Sequence, residues 1–498
     1  MLSERFGHIF SFALILCVAL CVLLGGLLFY FTFSKEDSPK EYVITLTDSG
    51  FSPNEITLKE GDTLRFRTER NRPFWPASDL HPTHTIYPGF DSRFPIHPEM
   101  EWSFTFTQPG RWRYHDHLDP QHLGLVIVQS KGDSLPVQDV ADCSTLEGPQ
   151  KLQCFDQTLE SRLRDSGIES AFAYFLDIYR ADPEVPEVCH AWAHRLGEVE
   201  YGLYTEGKEV QLRPEASLCS YGYFHGFINA MVKESGDFKK AQEFCTQATA
   251  ARRDSLQGLE SHCIHGIGHS IATLALEGEE YNTNLVSLAQ AGAQICEDLY
   301  MDSESLCIDG LLHELYLSME RGDYGLNSDR YLNSGDIFFY CHGLLGALEE
   351  ACYYESVTLW EHFIGSDKKE VMLTILDSTS ALLERSPRVL HTLARSFIES
   401  DIASGDFEGS VEACAAVPEE YFSECMRGLA LGFATHGDPG NLHAAGFAFC
   451  ESYYEGGTQS LCFEKMVDEL YLNYGAQAVR NACAELGPAK RPSACTTQ

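Results

Sequence analysis

The stretch Trp112–Gly124, WRYHDHLDPQHLG, carries three histidines and runs into the apolar segment GLVIVQ. A second segment upstream, DLHPTHTIYPGF, carries two more. Imidazole is the commonest metal-binding side chain near neutral pH, and it suits copper, zinc, iron and nickel. The two segments together predict a metal site, whose candidate ligands are His81, His84, His115, His117 and His122.

Short segments of alternating apolar and polar residues surround these histidines. EYVITLTD, DTLRFRTE and EWSFTFTQ have the two-residue period of half-buried strands. KEGD at 59–62 and QPGR at 108–111 have the composition of turns. Several short strands at this spacing predict an all-β sandwich or small barrel over residues 41–130.

The order of these segments resembles a cupredoxin of the plastocyanin type, or of the type found in periplasmic iron-uptake lipoproteins. The resemblance rests on FSPNEITLKEGDTLRF, the histidine segment, FTFTQPGRWRYHDH and GLVIV. It implies that His84 is the first histidine ligand, and that Asp116, Asp119 and His122 stand where a blue-copper loop has Cys, His and Met. A blue centre requires a thiolate. Residues 42–130 contain no cysteine, so a blue site is excluded.

The tetrapeptide YHDH also resembles the Tyr-His-x-His element of multicopper oxidases, in which histidine pairs hold copper without sulfur. That resemblance implies an all-histidine site with a fifth ligand, His122 or Asp116, beside His81, His84, His115 and His117. Copper is the expected ion, because imidazole-rich sites bind Cu²⁺ most tightly among first-row divalent ions, and zinc is the alternative. The competing interpretation is a degenerate cupredoxin that binds no metal.

The N-terminal segment at residues 10–33 has 24 residues and no charged side chain. This length is enough to cross a hydrocarbon core of about 30 Å. The segment is longer than the apolar region of a signal peptide, and no small-residue cleavage site follows it. The sequence therefore predicts an uncleaved transmembrane helix, with a cytoplasmic N-terminus at 1–9 and a linker at 34–40.

Sixteen of the eighteen cysteines lie from Cys143 onward. An even, dense set of cysteines is typical of an oxidising compartment, so this region is expected outside the cytoplasm, in the periplasm or at the cell surface. Spacings of 11 or 12 residues recur and predict disulfides across helical hairpins, in preference to metal thiolates. The expected pairs are Cys143–Cys154, Cys189–Cys219, Cys245–Cys263, Cys296–Cys307, Cys341–Cys352, Cys414–Cys425, Cys450–Cys462 and Cys483–Cys495.

One of these pairs conflicts with a continuous helix. If FFYCHGLLGALEEACYY formed a single helix, Cys341 and Cys352 would lie about 16 Å apart. Disulfide-bonded Cα atoms lie within about 7 Å of each other. The pair therefore requires a break near Gly343 or Gly346.

After a linker at 131–142, residues 143–498 have the period of helices and contain an internal repeat. Three copies follow the pattern Cys-x-x-Gly-x-x-His: CSYGYFH, CIHGIGH and CIDGLLH. Repeats of this length predict an all-α domain of stacked helical hairpins. Its cysteines can reach hairpin partners, and its glycines can admit a neighbouring helix. This repeat region resembles no family that we can name.

The repeat histidines suggest a second metal site. His190 and His194, like His265 and His269, are four residues apart, a spacing that can chelate an ion from one helix face. If the helices close into a ring, a second site is expected near Glu198 or Glu314, with His194, His225, His269 and His313 as its ligands. The alternative is that these histidines form hydrogen bonds between neighbouring repeats.

The formal net charge of −37 repels nucleic acid, which excludes it as a partner. No Gly-rich phosphate loop, GxSxG or HExxH motif is present. The predicted protein is membrane-anchored and extracytoplasmic, binds copper, and serves copper handling or electron transfer with a redox or protein partner. One alternative is a copper-dependent oxidase whose substrate is held by the helical domain. The other is a structural or adhesive repeat protein with a vestigial cupredoxin unit.

Overall fold

The computed structural model describes residues 39–81, 83–130, 143–182, 184–208, 219, 221–250, 259–277, 284–300, 304–326, 331, 333–384, 386–402, 404–436, 442–486, 491–492 and 495. The predicted transmembrane helix at 10–33, the cytoplasmic segment before it, most of the linker after it and the linker at 131–142 lie outside these residues. None of the helices within the described ranges has the length and apolarity that crossing a membrane requires.

The described N-terminal region forms a β-sandwich. Its strands are β1 (Glu41–Thr47), β2 (Gly50–Ser52), β3 (Glu55–Lys59), β4 (Thr63–Thr68), β5 (Pro76–Ser78), β6 (Trp102–Thr105), β7 (Gly110–Asp116) and β8 (Asp119–Gln129). One sheet has the order β2-β1-β4-β6 and the other β3-β8-β7-β5. The β1–β4 and β3–β8 pairs are parallel, and the remaining pairs are antiparallel. The predicted all-β unit is present.

The register of the β7–β8 hairpin decides which histidines leave the sandwich. Tyr114 pairs with Gly124, and His115 pairs with Leu123. Tyr114 is fully buried in the sandwich core. A Cβ at position 124 would lie 2.2 Å from its ring, so only glycine fits opposite. Because side chains alternate across a strand, His115 points to the opposite face of the sheet.

The C-terminal region is helical. Its α-helices are α1 (Gly148–Ser166), α2 (Ile168–Ala181), α3 (Val185–Thr205), α4 (Gly222–Ser235), α5 (Phe238–Ala250), α6 (Leu259–Leu276), α7 (Leu285–Leu299), α8 (Glu304–Arg321), α9 (Ala347–Ser356), α10 (Trp360–Phe363), α11 (Lys368–Ser378), α12 (Ser380–Leu383), α13 (Arg388–Asp401), α14 (Glu408–Ala415), α15 (Glu419–His436), α16 (Leu442–Tyr453) and α17 (Gly456–Glu485). A 3-10 turn, Asp323–Gly325, follows α8.

Eight disulfides join consecutive segments of this domain, and they are the eight expected pairs; six of them have the recurring spacing of 11 or 12 residues. Cys341 and Cys352 have Cα atoms 5.5 Å apart. The chain between them is not one helix. Gly343 and Gly346 both have positive φ, and α9 begins only at Ala347, so the required break is present.

Glycines bring the histidine-bearing helices together. A Cβ at Gly226 would lie 2.0 Å from the His194 carbonyl oxygen, and a Cβ at Gly310 would lie 2.0 Å from the His265 carbonyl oxygen. A side chain at either position would force the helix backbones apart. Gly310 is the glycine of the third repeat copy, whereas Gly226 lies outside the pattern. A Cβ at Gly222, the glycine of the first copy, would lie 2.6 Å from the His190 carbonyl oxygen, so the predicted role of the repeat glycine holds for α3–α4 and α6–α8.

The sandwich packs directly on the helical domain. The buried indole of Trp75, just before β5, belongs to the same apolar cluster as the helical core. Its ring lies 4.9 Å from that of Tyr324, in the turn after α8. Arg93 Nη1 donates to the Arg321 carbonyl oxygen at 2.9 Å. Helices thus pack against the part of the sandwich that carries Trp75 and Arg93.

Candidate metal centres

Four histidines converge where the sandwich meets the helical domain. Two of them come from the segment between β5 and β6, one from β7, and one from the β7–β8 turn. Each offers one ring nitrogen, and the four nitrogens all lie within 4.8 Å of one another. We call this group the interface site; its members are His81, His84, His115 and His117.

The spacing of the nitrogens suits a metal ion. His81 Nδ1 lies 3.3 Å from His115 Nε2, and His84 Nε2 lies 3.0 Å from His117 Nδ1. Nitrogens about 2.0–2.1 Å from a tetrahedral ion lie roughly 3.4 Å apart. The four imidazoles therefore need to move little to share one ion.

Carboxylates hold the outer nitrogens of two ligands. His84 Nδ1 lies 2.7 Å from Asp91 Oδ2, and His115 Nδ1 lies 3.1 Å from Asp79 Oδ1. A carboxylate at the outer nitrogen fixes the orientation of a metal-binding imidazole and raises its basicity. In both rings, this arrangement directs Nε2 toward the centre of the site.

The helical domain supplies the outer contacts of the other two ligands. His117 Nε2 lies 3.3 Å from the Tyr324 hydroxyl, and His81 Nε2 lies 3.7 Å from Glu198 Oε1 on α3. His84 and Tyr324 also share a left-handed backbone, with φ of 54° and 55°. Such conformations are uncommon outside glycine and concentrate at functional sites. The surroundings of the interface site thus come from both domains.

Burial favours the neutral, metal-binding form of the imidazoles. It lowers the pKa of His81 and His117 well below the usual histidine value, and the neighbouring imidazoles lower it further. Burial also lowers the pKa of His115, against the effect of its contact with Asp79. Burial alone would raise the pKa of Asp79, but Arg113 and His115 outweigh it and hold that pKa at about 2. Metal ligation requires neutral histidine.

The structure does not bring the expected fifth ligands into this group. His122 lies in β8, two residues before Gly124, and its side chain therefore points to the sandwich side of the sheet. Its Nδ1 lies 3.1 Å from Asp119. Asp116 accepts hydrogen bonds from Arg70 at 2.6 Å and from the Trp75 amide at 2.8 Å. β7 ends at Asp116 and β8 begins at Asp119, so the two strands meet in a tight hairpin that keeps the side chains of His122 and Asp116 out of the interface site.

A second cluster lies within the helical domain, as a row of six histidines on four helices. Its nitrogens form two triads that share one residue, His225. Along the row, ring centroids lie 5.5 Å apart for His194 and His225, 4.1 Å for His225 and His269, and 5.2 Å for His269 and His313. The predicted members form this row and do not surround a single point. We call the cluster the helical row: His190, His194, His225, His265, His269 and His313.

Hydrogen bonds within the helical domain hold three of these rings. His190 Nδ1 lies 2.7 Å from the Cys219 carbonyl oxygen. Two further contacts join ring nitrogens to carboxylates: His269 Nδ1 to Glu314 Oε2 at 2.9 Å, and His313 Nδ1 to Glu355 Oε2 at 2.7 Å. The expected bonds between repeats are therefore present. Glu314 lies beside the row as expected, whereas Glu198 contacts the interface site.

No protein-family model matches the chain, and no curated protein sequence matches it. Among solved structures, a purple cupredoxin from Nitrosopumilus maritimus is 19% identical, over 18% of this chain and 98% of its own, with a TM-score of 0.15. An amicyanin variant in its Cu(I) form is 20% identical, over 19% of this chain and 87% of its own, with a TM-score of 0.16. A second reduced amicyanin variant is 21% identical, with the same coverage and TM-score. All three TM-scores lie below 0.5, so these likenesses carry no argument about this chain.

Proposed function

We propose that this protein binds one copper ion in the interface site and serves copper handling or electron transfer outside the cytoplasm. The observation that carries the proposal is the convergence of four imidazole nitrogens within 4.8 Å. Eight disulfides support an oxidising compartment. The uncharged segment at 10–33 supports a membrane anchor with the folded domains outside the cytoplasm.

The donor set favours copper. All four candidate ligands are imidazoles, and Cu²⁺ stands highest among divalent first-row ions for such sites. A blue centre is excluded, because residues 42–130 contain no cysteine. The loaded protein should therefore be nearly colourless. Zinc is the alternative ion.

The closed environment favours storage of copper or electron transfer over substrate binding. His84, His115 and His117 are at most 5% exposed. Four protein nitrogens can fill the coordination of a tetrahedral or tetragonal copper ion. The Trp75 ring lies 4.3 Å from that of His117, which further shields the site from solvent.

Copper stoichiometry tests this proposal. The full chain is loaded with Cu²⁺, passed over a desalting column and assayed for copper per protein. The double variant His84→Ala/His117→Ala should retain one ion fewer than the wild type. His122→Ala is the matched control, and it should retain the wild-type amount. Equal copper in the double variant and the wild type would refute the interface site.

A second candidate function, an oxidase, is favoured by one observation. His81, the most exposed of the four ligands, lines a cleft together with Arg195, Glu198 and Lys233. A substrate in this cleft would reach the ion only past His81. The proposed storage or electron-transfer role predicts no oxygen consumption by the copper-loaded protein across a panel of phenols, amines and metal ions. Sustained consumption that depends on His81 would favour the oxidase.

A further inference from the structure

We propose that the helical row is a second metal centre, separate from the interface site, which binds two transition-metal ions bridged by the His225 imidazole. The two triads that carry this inference are His190, His194 and His225 on one side, and His225, His265 and His269 on the other. Within each triad the offered nitrogens lie within 4.8 Å of one another. Only His225 belongs to both.

His225 is unusual in having neither ring nitrogen satisfied. Both Nδ1 and Nε2 are buried, and neither has a hydrogen-bond partner among the residues that the structure describes. The residue is 2% exposed. A buried polar atom without a partner has lost its hydrogen bonds to water and gained none in return, so such atoms are rare. An ion at each nitrogen would satisfy both atoms of the ring.

The flanking rings are already oriented to bind. His190 Nδ1 and His269 Nδ1 donate to the Cys219 carbonyl and to Glu314, which leaves the Nε2 lone pair of each neutral ring available. His269 Nε2 lies 3.1 Å from His265 Nε2. This separation is close to the roughly 3.4 Å expected between nitrogens on a tetrahedral ion.

Near His225 the helices pack backbone against backbone, with glycine at the points of contact. Gly226 is one residue from His225 and touches the backbone of His194, while Gly310 touches the backbone of His265. These contacts pack α3 against α4 and α6 against α8. A Cβ at Gly266 would lie 3.5 Å from the Phe224 carbonyl oxygen, which places α6 beside α4. His313 lies beyond the second triad, 5.7 Å from His265 between ring centroids. With Glu355 at its outer nitrogen, it can add a fourth ligand to the second ion.

Charge and proton balance follow from the bridge. Two divalent ions bring four positive charges into the row. His225 must lose its single N–H proton to solvent to bind through both nitrogens, so the ring becomes an imidazolate. The Glu314 and Glu355 carboxylates, each bonded to a histidine of the row, offset more of the charge. No oxidation or reduction is involved.

The test uses the full chain with the interface site removed by His84→Ala/His117→Ala. After Cu²⁺ loading and desalting, this background should retain two copper ions per protein. Its integrated electron paramagnetic resonance signal should be well below two spins, because imidazolate-bridged Cu²⁺ ions couple antiferromagnetically. Retention of no copper would overturn the second centre. Two full spins would overturn the bridge.

His225→Gln in the same background should lose at least one ion, and any remaining copper should give its full spin count. His342→Gln is the matched control, because this histidine lies outside the helical row and is 61% exposed. Its Nε2 contacts Asp336. If His225→Gln fails to fold, His265→Asn is measured in its place. It should lose one copper ion, and the copper that remains should give its full spin count. Two coupled ions in either folded variant would overturn the proposal. These outcomes are independent of the interface site, which is absent throughout.

Discussion

In the sandwich, the candidate ligands lie on a strand and on the segments that join strands, whereas in the helical domain they lie within four helices. The interface ligands are oriented by Asp79, Asp91 and contacts from the other domain. The helical ligands are brought together by glycine contacts between backbones. The sandwich cluster therefore depends on domain packing and local carboxylates, and the helical row depends on helix spacing. Perturbations of one should leave the other intact.

The largest effect is expected from low pH, which should reduce the free energy of unfolding mainly in the helical domain. Burial lowers the pKa of His262 and of His391 from 6.5 to about 3. Below pH 6.5 the unfolded chain therefore binds more protons than the folded chain, and stability is lost as the pH falls toward 3. Each pKa unit corresponds to about 1.4 kcal/mol.

Thermal unfolding of the metal-free protein, followed by helical circular dichroism, measures this effect. The midpoint should fall steadily between pH 6.5 and pH 4. The variant His391→Gln should show a shallower fall. An unfolding temperature that is constant over this range would contradict neutral burial of these histidines.

The next largest effect is expected from Gly310→Ala. The added methyl group would lie 2.0 Å from the His265 carbonyl oxygen, so α6 and α8 must separate. Overpacking of this kind costs about 1–3 kcal/mol, and occasionally more. The variant should lose copper from the helical row and keep the ion of the interface site. Gly202→Ala is the control, since a Cβ there meets nothing within 4 Å and should be neutral or slightly stabilising.

Part of the fold and of the candidate sites is predictable from the sequence. The spacing of 11 or 12 residues predicted six of the eight pairs, because a helical hairpin brings such residues together. Cys189–Cys219 and Cys245–Cys263 are 30 and 18 residues apart. The two-residue period predicted the sandwich. His122 was expected to be a ligand because it stands where a blue-copper loop has its Met, but its position two residues before Gly124 in β8 directs its side chain to the sandwich side of the sheet. In the copy CIHGIGH the closest approach is at Gly268, where a Cβ would lie 2.0 Å from the Cys307 carbonyl oxygen, and not at Gly266, where it would lie 3.5 Å from the Phe224 carbonyl oxygen.

Other features could not have been predicted, because they depend on how the two domains pack. Tyr324 is more than two hundred residues from His117 in sequence, yet its hydroxyl contacts that ring. Glu198 was associated with the helical histidines because it follows His194 by one turn, and it faces His81 instead. Asp79 and Asp91 could have been noticed in the sequence, since Asp79 lies two residues before His81 and Asp91 lies seven residues after His84.

A smaller effect is expected from Asp91→Asn. The change removes the carboxylate that contacts His84 Nδ1 and accepts from Trp75 Nε1. Loss of such an outer contact lowers metal affinity about 10–100-fold. Competition with a chelator should show this loss in the interface site, with the helical copper unchanged. Unchanged affinity at the interface site would mean that Asp91 does not orient a ligand.

The smallest effect is expected from Tyr324→Phe. The hydroxyl contact to His117 Nε2 is 3.3 Å long, and the ring packing on Trp75 is retained in phenylalanine. Copper affinity at the interface site should fall by less than about 10-fold, at the weak end of such outer contacts. A loss of more than about 10-fold, measured by the same chelator competition, would contradict this prediction. It would mean that the Tyr324 hydroxyl contributes strongly to copper binding.

Anomalous diffraction at the copper edge, on crystals of the copper-loaded full chain, tests the central claim most directly. The expected result is a peak within bonding distance of His81 Nδ1, His84 Nε2, His115 Nε2 and His117 Nδ1, between the sandwich and the helices. A copper-loaded crystal with no peak at this position, or with copper held there by fewer than three of these nitrogens, would contradict it.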